Sequence, residues 1–172
     1  MKIYIGSDHR GFELKNKLVG WLKEQDHEIS DCGNLVYDPQ DDYPDFARKV
    51  AQNVTTSTVI LNSIQDPINT NKMPKQIRHD IKTAPSESLG ILICGSGVGV
   101  SVMANRFKGI ICALGFNVDQ VSHARENDHI NILSIPSDYV TEEQAKAMIN
   151  AFLTATPKTG EKYLRRLKKL DN

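Results

Sequence analysis

Gly90-Ile-Leu-Ile-Cys-Gly-Ser-Gly-Val-Gly99 carries the densest chemical signal in the chain. The apolar run Ile91–Ile93 ends at Cys94, glycines follow at 95, 97 and 99, and apolar residues resume from Val98. A strand, a glycine loop and a helix in that order aim main-chain N–H groups at whatever lies beyond the strand end. The spacing is not the dinucleotide fingerprint, because with Gly95 and Gly97 in place the third glycine falls at position 100, which is Val100. A passive phosphate cradle has no need of a thiol at its mouth. Cys94 stands just ahead of an expected helix N-terminus, which lowers a thiol pKa from about 8.5. A thiolate there serves as nucleophile or general base toward a small anionic substrate.

Asp8 and His9 sit side by side in Gly6-Ser-Asp-His-Arg-Gly11, a loop expected at the end of the first strand. One reading makes Asp8 a helix cap and His9 a surface residue; the other has them gripping hydroxyls or phosphate. His123, Asn127, Asp128, His129 and Asn131 form a polar cluster around the end of a short helix. His123 and Asn127, four apart, share a helix face, although capping alone explains Asn127 and Asp128. The basic run Lys158, Lys162, Arg165, Arg166, Lys168 and Lys169 reads as a solvated helix face. Lys162 and Arg166, again four apart, would alternatively clamp a phosphate. Cys112, inside a strand, reads as a small buried hydrophobe.

The elements that must position these residues alternate. Ile3–Gly6 is a short strand, and Leu14, Leu18, Trp21 and Leu22 recur at helical spacing after it. A second strand is expected at Glu28–Asp31. Asp41-Asp42-Tyr43-Pro44 opens a helix that runs to about Val54. From Thr55 to Ser88 the pattern breaks down, and an insertion is expected there. Strand Leu89–Cys94, a helix from Val98 to about Lys108, strand Ile110–Leu114, helix Asp119–Glu126 and strand Ile132–Ile135 follow. Thr141-Glu-Glu-Gln144 is a capping box for a helix to about Leu153, and a basic helix closes the chain at about 160–170. Such alternation implies one parallel sheet covered on both faces, with ligands beyond the carboxyl ends of its strands. Asp8, His9, Cys94 and the glycine loop all fall at such ends.

Composition bounds the function. With 21 basic and 21 acidic residues in 172, no net field favours nucleic acid or an anionic membrane. No apolar run approaches transmembrane length and the start carries no long apolar segment, so a single cytoplasmic domain over 1–172 is expected. Three widely spaced cysteines without a CxxC pair argue against a disulfide framework or a structural zinc site.

Taken together, the motifs resemble the type B ribose-5-phosphate isomerases, whose family includes the galactose-6-phosphate isomerase subunits. The matching pieces are Gly6–Gly11, Asp42-Tyr43-Pro44, Gly90–Gly99, Ala104-Asn105-Arg106, Ala124-Arg-Glu-Asn-Asp128 and Asn131, in family order. The resemblance implies a Rossmann-like α/β/α three-layer domain with a five-stranded parallel sheet. It implies a homodimer or dimer of dimers whose active sites are shared between subunits. It further implies interconversion of ribose 5-phosphate and ribulose 5-phosphate without metal or cofactor. Cys94 matches the general base that moves a proton between C2 and C1 through a cis-enediolate. The loop Gly95, Ser96, Gly97, Val98 and Gly99 matches the one whose N–H groups stabilise the developing oxyanion. Asp8 and His9 match residues that hold the sugar and its phosphate end, Tyr43 lies near the sugar, and Lys162 and Arg166 align with two phosphate-binding arginines. Lysine at 162 keeps the charge but loses the bidentate fork.

Two departures bear on mechanism. The family has a histidine followed by asparagine where this chain has Asn127 and Asp128, and that histidine helps open the furanose ring. Asparagine holds a hydroxyl but is a poor proton donor, so His123 or His129 is expected to supply the proton, with Asp128 left as a substrate contact. Ribulose 5-phosphate cannot close a furanose through its phosphorylated oxygen, so the ketose-to-aldose direction should suffer less. The family also often has an arginine where this chain has Asp138, which removes one phosphate contact. Two alternatives remain: an isomerase of a six-carbon sugar phosphate, such as allose or galactose 6-phosphate, and a catalytically weak sugar-phosphate-binding protein.

Overall fold

Five parallel strands form a single sheet in the order β2-β1-β3-β5-β4 in this computed structural model, which describes residues 1–65 and 88–170. The strands are β1 (Lys2–Ser7), β2 (Glu28–Asp31), β3 (Ser88–Cys94), β4 (Cys112–Leu114) and β5 (Ile132–Pro136). Six helices are present among the described residues: α1 (Phe12–Glu24), α2 (Tyr43–Gln65), α3 (Val98–Ala104), α4 (Val118–Asp128), α5 (Glu142–Thr154) and α6 (Glu161–Leu167). A 3-10 turn at His9–Gly11 links β1 to α1. None of these helices is long and apolar enough to cross a membrane.

Both faces of the sheet are covered, as the short apolar strands require. On one face, Ile3, Ile5, Ile91 and Ile93 pack with Leu18 and Leu22 of α1, Val121 of α4 and Met148, Ile149 and Phe152 of α5. On the other, Tyr4, Leu92 and Cys94 pack with Ala47, Val50 and Val54 of α2 and Val100 and Ala104 of α3. Each fully buried Ile, Leu or Phe contributes roughly 1.5–3 kcal/mol by leaving water, so the central strands β1 and β3 anchor the molecule.

The strand order sets the position of the site. From β1 the chain steps outward to β2, then returns to place β3 on β1's other side. The sheet therefore has its switch point between β1 and β3, where the loops leaving the two strands diverge and open a crevice. Ser7 pairs with Ile93, so the next residues along, Asp8 and Cys94, meet at the mouth of that crevice.

Three boundaries differ from the sequence reading. Helix α2 runs to Gln65 instead of stopping near Val54. The Thr55 hydroxyl donates to the Ala51 carbonyl at 2.9 Å, so a threonine that reads as a break is absorbed within the helix. The remainder of the expected insertion, 66–87, lies outside the described residues. Helix α3 ends at Ala104, not Lys108, because Arg106 and Phe107 donate to Met103 and Ala104 in tight turns. Strand β4 starts at Cys112, where the Asn105 side chain both accepts from the Cys112 N–H at 2.9 Å and donates to its carbonyl at 2.8 Å.

Candidate active site

Cys94 closes β3, and its thiol donates to Asp8 Oδ2 at 3.1 Å. Both residues are buried, at 7% and 5% exposure. The other oxygen of Asp8, Oδ1, accepts the backbone N–H groups of Arg10 and Gly11 at 3.1 and 3.2 Å, capping the 3-10 turn. Capping and chemistry are thus not competing roles for Asp8. The cap fixes one oxygen, and that fixes the direction of the other.

The expected low thiol pKa is corrected here. Burial and the facing Asp8 carboxylate push the Cys94 thiol up to about 11, while the backbone N–H groups of Gly97 and Ser96 pull the other way and do not prevail. The helix N-terminus is where the sequence placed it, but burial, with a carboxylate at hydrogen-bond distance, outweighs it. The resting sulfur therefore carries its proton.

The glycine loop holds its shape through contacts that exclude side chains. Gly97 has φ +71°, and a Cβ there would meet Leu114 Cδ1 at 2.6 Å. Its carbonyl accepts the buried Ser134 hydroxyl at 2.6 Å, which ties the loop to β5. A Cβ at Gly99 would lie 2.9 Å from the Tyr43 ring, so the first residue of α2 walls the loop. Ser96 and Val98 are exposed at its rim.

His9 is half-buried, and Asp41 holds it twice, accepting its backbone N–H at 2.9 Å and its Nδ1 at 2.8 Å. Since a carboxylate only accepts, Nδ1 carries a proton and Nε2 remains for another partner. Asp41 is in turn held by Asn34 Nδ2 at 3.1 Å. The sequence reading missed this role, because Asp41 reads there as a helix-start acid; the only signal was a second acidic residue beside the Asp42-Tyr-Pro motif. Arg10 also enters the site unannounced. It lies over Gly95 and donates through Nε to Asp138 Oδ2 at 3.1 Å, so Asp138 serves here to anchor an arginine.

Asn127, Asp128 and His129 lie at the other end of the sheet. Gly90 pairs with Ile132 and Cys94 with Pro136, so about 13 Å of strand separates Cys94 from the start of β5. Asn127, Asp128 and His129 end α4 just before that start. There Lys158 donates to Asn127 Oδ1 at 3.2 Å and pairs with Glu126 at 2.8 Å, while His129 Nε2 meets the Lys158 carbonyl at 2.8 Å. His129, at φ +54°, also forms the left-handed cap of α4. His123 is exposed on α4, and its carbonyl accepts Asn127 Nδ2 at 3.1 Å. Helix α6, with Lys162 and Arg166, buries none of its residues. Asn131 proves to be a brace, accepting the Ile111 N–H and donating to the Gly109 carbonyl. One copy of the chain thus brings together Asp8, His9, Tyr43, Cys94 and the loop 95–99 and sets Asn127, Asp128 and His129 at the other end of the sheet, and no hydrogen bond or ion pair among the described residues joins the first group to His123, Lys162 or Arg166.

A thiol–carboxylate pair beside the backbone N–H groups of Ser96 and Gly97 thus lies at the switch point of a Rossmann-like sheet. The sequence profile described as Ribose/Galactose Isomerase matches residues 3–65 and 62–170. The chain belongs to that family. It is 32% identical over 167 residues to ribose-5-phosphate isomerase B of Mycolicibacterium paratuberculosis, covering 97% of this chain and 87% of that one. It is 36% identical over 153 residues to a probable ribose-5-phosphate isomerase B of Mycoplasma pneumoniae, covering 89% and 82%. The crystal structure of ribose-5-phosphate isomerase B from Mycoplasma genitalium with bound ribulose-5-phosphate superimposes with a TM-score of 0.79 at 32% identity, over 98% of this chain and 93% of that one.

Proposed function

We propose that the protein is an aldose–ketose isomerase that interconverts ribose 5-phosphate and ribulose 5-phosphate. The observation that carries this reading is the Cys94 sulfur, set between Asp8 at 3.1 Å and the N–H groups of Ser96 and Gly97. A base must stand beside the carbon that loses its proton, and donors must stand where the oxyanion develops. Cys94 moves the proton between C1 and C2 of a cis-enediolate, and the loop 95–99 stabilises its oxygens. His9, with Asp8, holds the sugar phosphate, and Tyr43 walls the sugar.

The active unit is a cytoplasmic homodimer or a dimer of dimers. The separation within one chain supports this, since a second copy has to bring Lys162 and Arg166 to the phosphate. The same copy brings Asn127, Asp128 and His123 or His129 to the ring oxygen. Of the two histidines, His123 suits proton donation better, because His129 already caps α4 and meets a carbonyl. In the ketose-to-aldose direction no ring has to open, and the loss of the family histidine matters least.

The test is a comparison of kcat/KM for ribulose 5-phosphate with that for six-carbon ketose 6-phosphates, using the purified protein. Preference for the pentose by about tenfold or more supports the assignment. Preference for a six-carbon substrate transfers it to the other branch of the family, and binding without turnover makes the protein a sugar-phosphate binder.

A further inference from the structure

We propose that Asp8 stores the proton of Cys94 during turnover, so that the thiol–carboxylate pair, and not an ionised thiol alone, is the working base. The proposal rests on the isomerase reading and deepens it. Three features of the geometry carry it. Asp8 Oδ2 lies 3.1 Å from the sulfur, within direct transfer distance. Oδ1 is held by two backbone N–H groups, so Oδ2 cannot turn away without uncapping the 3-10 turn. Both groups are buried, so ionising both would place two like charges at hydrogen-bond distance with little solvent to screen them. A pair in that position keeps one proton and one charge across the working pH range.

The charged and titratable groups around the pair leave that balance intact. Arg10 faces both members, but Asp138 on the β5–α5 loop takes its Nε. His9 is engaged by Asp41, which precedes α2. Tyr43 of α2 contributes its ring edge against Gly99. The N–H groups of Ser96 and Gly97 address the sulfur, so they can receive a transient thiolate.

The steps balance. The S–H proton passes to Asp8 Oδ2, leaving a thiolate and a neutral carboxylic acid. The thiolate takes the proton from C1 of the ketose. The C–H electron pair forms the C1–C2 double bond, and the carbonyl π pair moves onto O2. The hydroxyl proton on O1 passes to O2 across the cis-enediolate, and the thiol delivers its proton to C2 as the C1 carbonyl forms. Asp8 then returns its proton to sulfur, and no proton has entered or left the pair.

This predicts a pH profile that a lone thiolate does not give. With ribulose 5-phosphate, kcat/KM of the wild type should be flat between about pH 7 and pH 10, above the second phosphate ionisation. Asp8→Asn keeps the shape and the cap but cannot accept a proton. In that variant kcat should fall by about a hundredfold or more near neutrality and then rise about tenfold per pH unit until the thiol ionises. A wild-type profile that already rises with that slope overturns the proposal. So does an Asp8→Asn profile that stays flat with only KM changed, since Asp8 would then be a substrate ligand and nothing more. If Asp8→Asn does not fold, the wild-type profile still decides. Absence of any wild-type turnover on ribulose 5-phosphate is a different failure, and overturns the isomerase reading together with its refinement.

Discussion

Asp41 holds His9 by two hydrogen bonds, one from the backbone N–H at 2.9 Å and one from Nδ1 at 2.8 Å. The two residues are 32 positions apart, and the clamp joins the β1–α1 turn to the loop that precedes α2. It fixes both the placement of the imidazole and the nitrogen it presents. Asp41→Ala should raise KM for the sugar phosphate by about fivefold to tenfold with a smaller change in kcat. A charge-assisted hydrogen bond is worth about 1.5–3 kcal/mol, and the partly exposed ring recovers some of that from water. Steady-state kinetics check this; a fall in kcat at constant KM would place His9 in the chemical step.

Behind that clamp stands a buried lysine. Lys15 on α1 is fully buried, pairs with Asp31 and donates to the Asn34 carbonyl at 3.2 Å, and Asn34 in turn holds Asp41. Lys15→Met removes the cation and leaves the Asp31 carboxylate partly buried without it. A loss of about 3 kcal/mol is expected, at the low end for a broken buried pair because Asp31 keeps some solvent contact. Lys15→Met with Asp31→Asn should recover part of that loss. Denaturant midpoints of the two variants and the wild type measure it.

Gly97→Ala should be costly for reasons of backbone and space together. At φ +71° an L side chain costs about 1–2 kcal/mol. Its Cβ would also overlap Leu114 Cδ1, adding about 1–3 kcal/mol or displacing the loop. Activity should fall further than stability, since the N–H groups at Cys94 move with the loop. An active Gly97→Ala enzyme of reduced thermal stability would show that the loop tolerates displacement.

Stability should fall at alkaline pH. The folded protein raises the Cys94 thiol to about 11 and the buried Cys112 thiol to about 12, from ordinary values near 9. Above about pH 9 the unfolded chain loses these protons while the native state keeps them, so unfolding is favoured as pH rises. Below about pH 9 the contribution is fully present, and it is lost as pH rises through the folded values. The loss by pH 11 is on the order of 2 kcal/mol for each thiol, about 5 kcal/mol for the two together. Urea midpoints at rising pH check this, and Cys112→Ala should flatten the decline.

Much of this architecture is legible in the sequence, because strands such as Ile3–Gly6 and Leu89–Cys94 are short apolar runs that end in chemically unusual residues. The capping box at Thr141 and Gln144 gives the start of α5 directly. What is not legible depends on which strands become neighbours. Asp8 and Cys94 are 86 residues apart, and only the pairing of β1 with β3 brings them into contact. The thiol pKa therefore reads as lowered from the local helix and is in fact raised, first by burial and then by a remote carboxylate. Lys15 sits between Leu14 and Leu18 like any lysine on an amphipathic helix, and its burial follows from the fold of the Gly33–Asn34 loop over it. The far placement of Asn127 and His129 follows from α4 running back along the sheet, a direction that spacing alone does not give.

The proposed isomerisation depends on proton transfer by Cys94. Turnover of ribulose 5-phosphate at saturation, measured together with substrate affinity for wild type and Cys94→Ala, is the decisive comparison. A fall in kcat of about 10²–10⁴-fold with affinity retained is expected. A Cys94→Ala protein that turns over at the wild-type rate would contradict it.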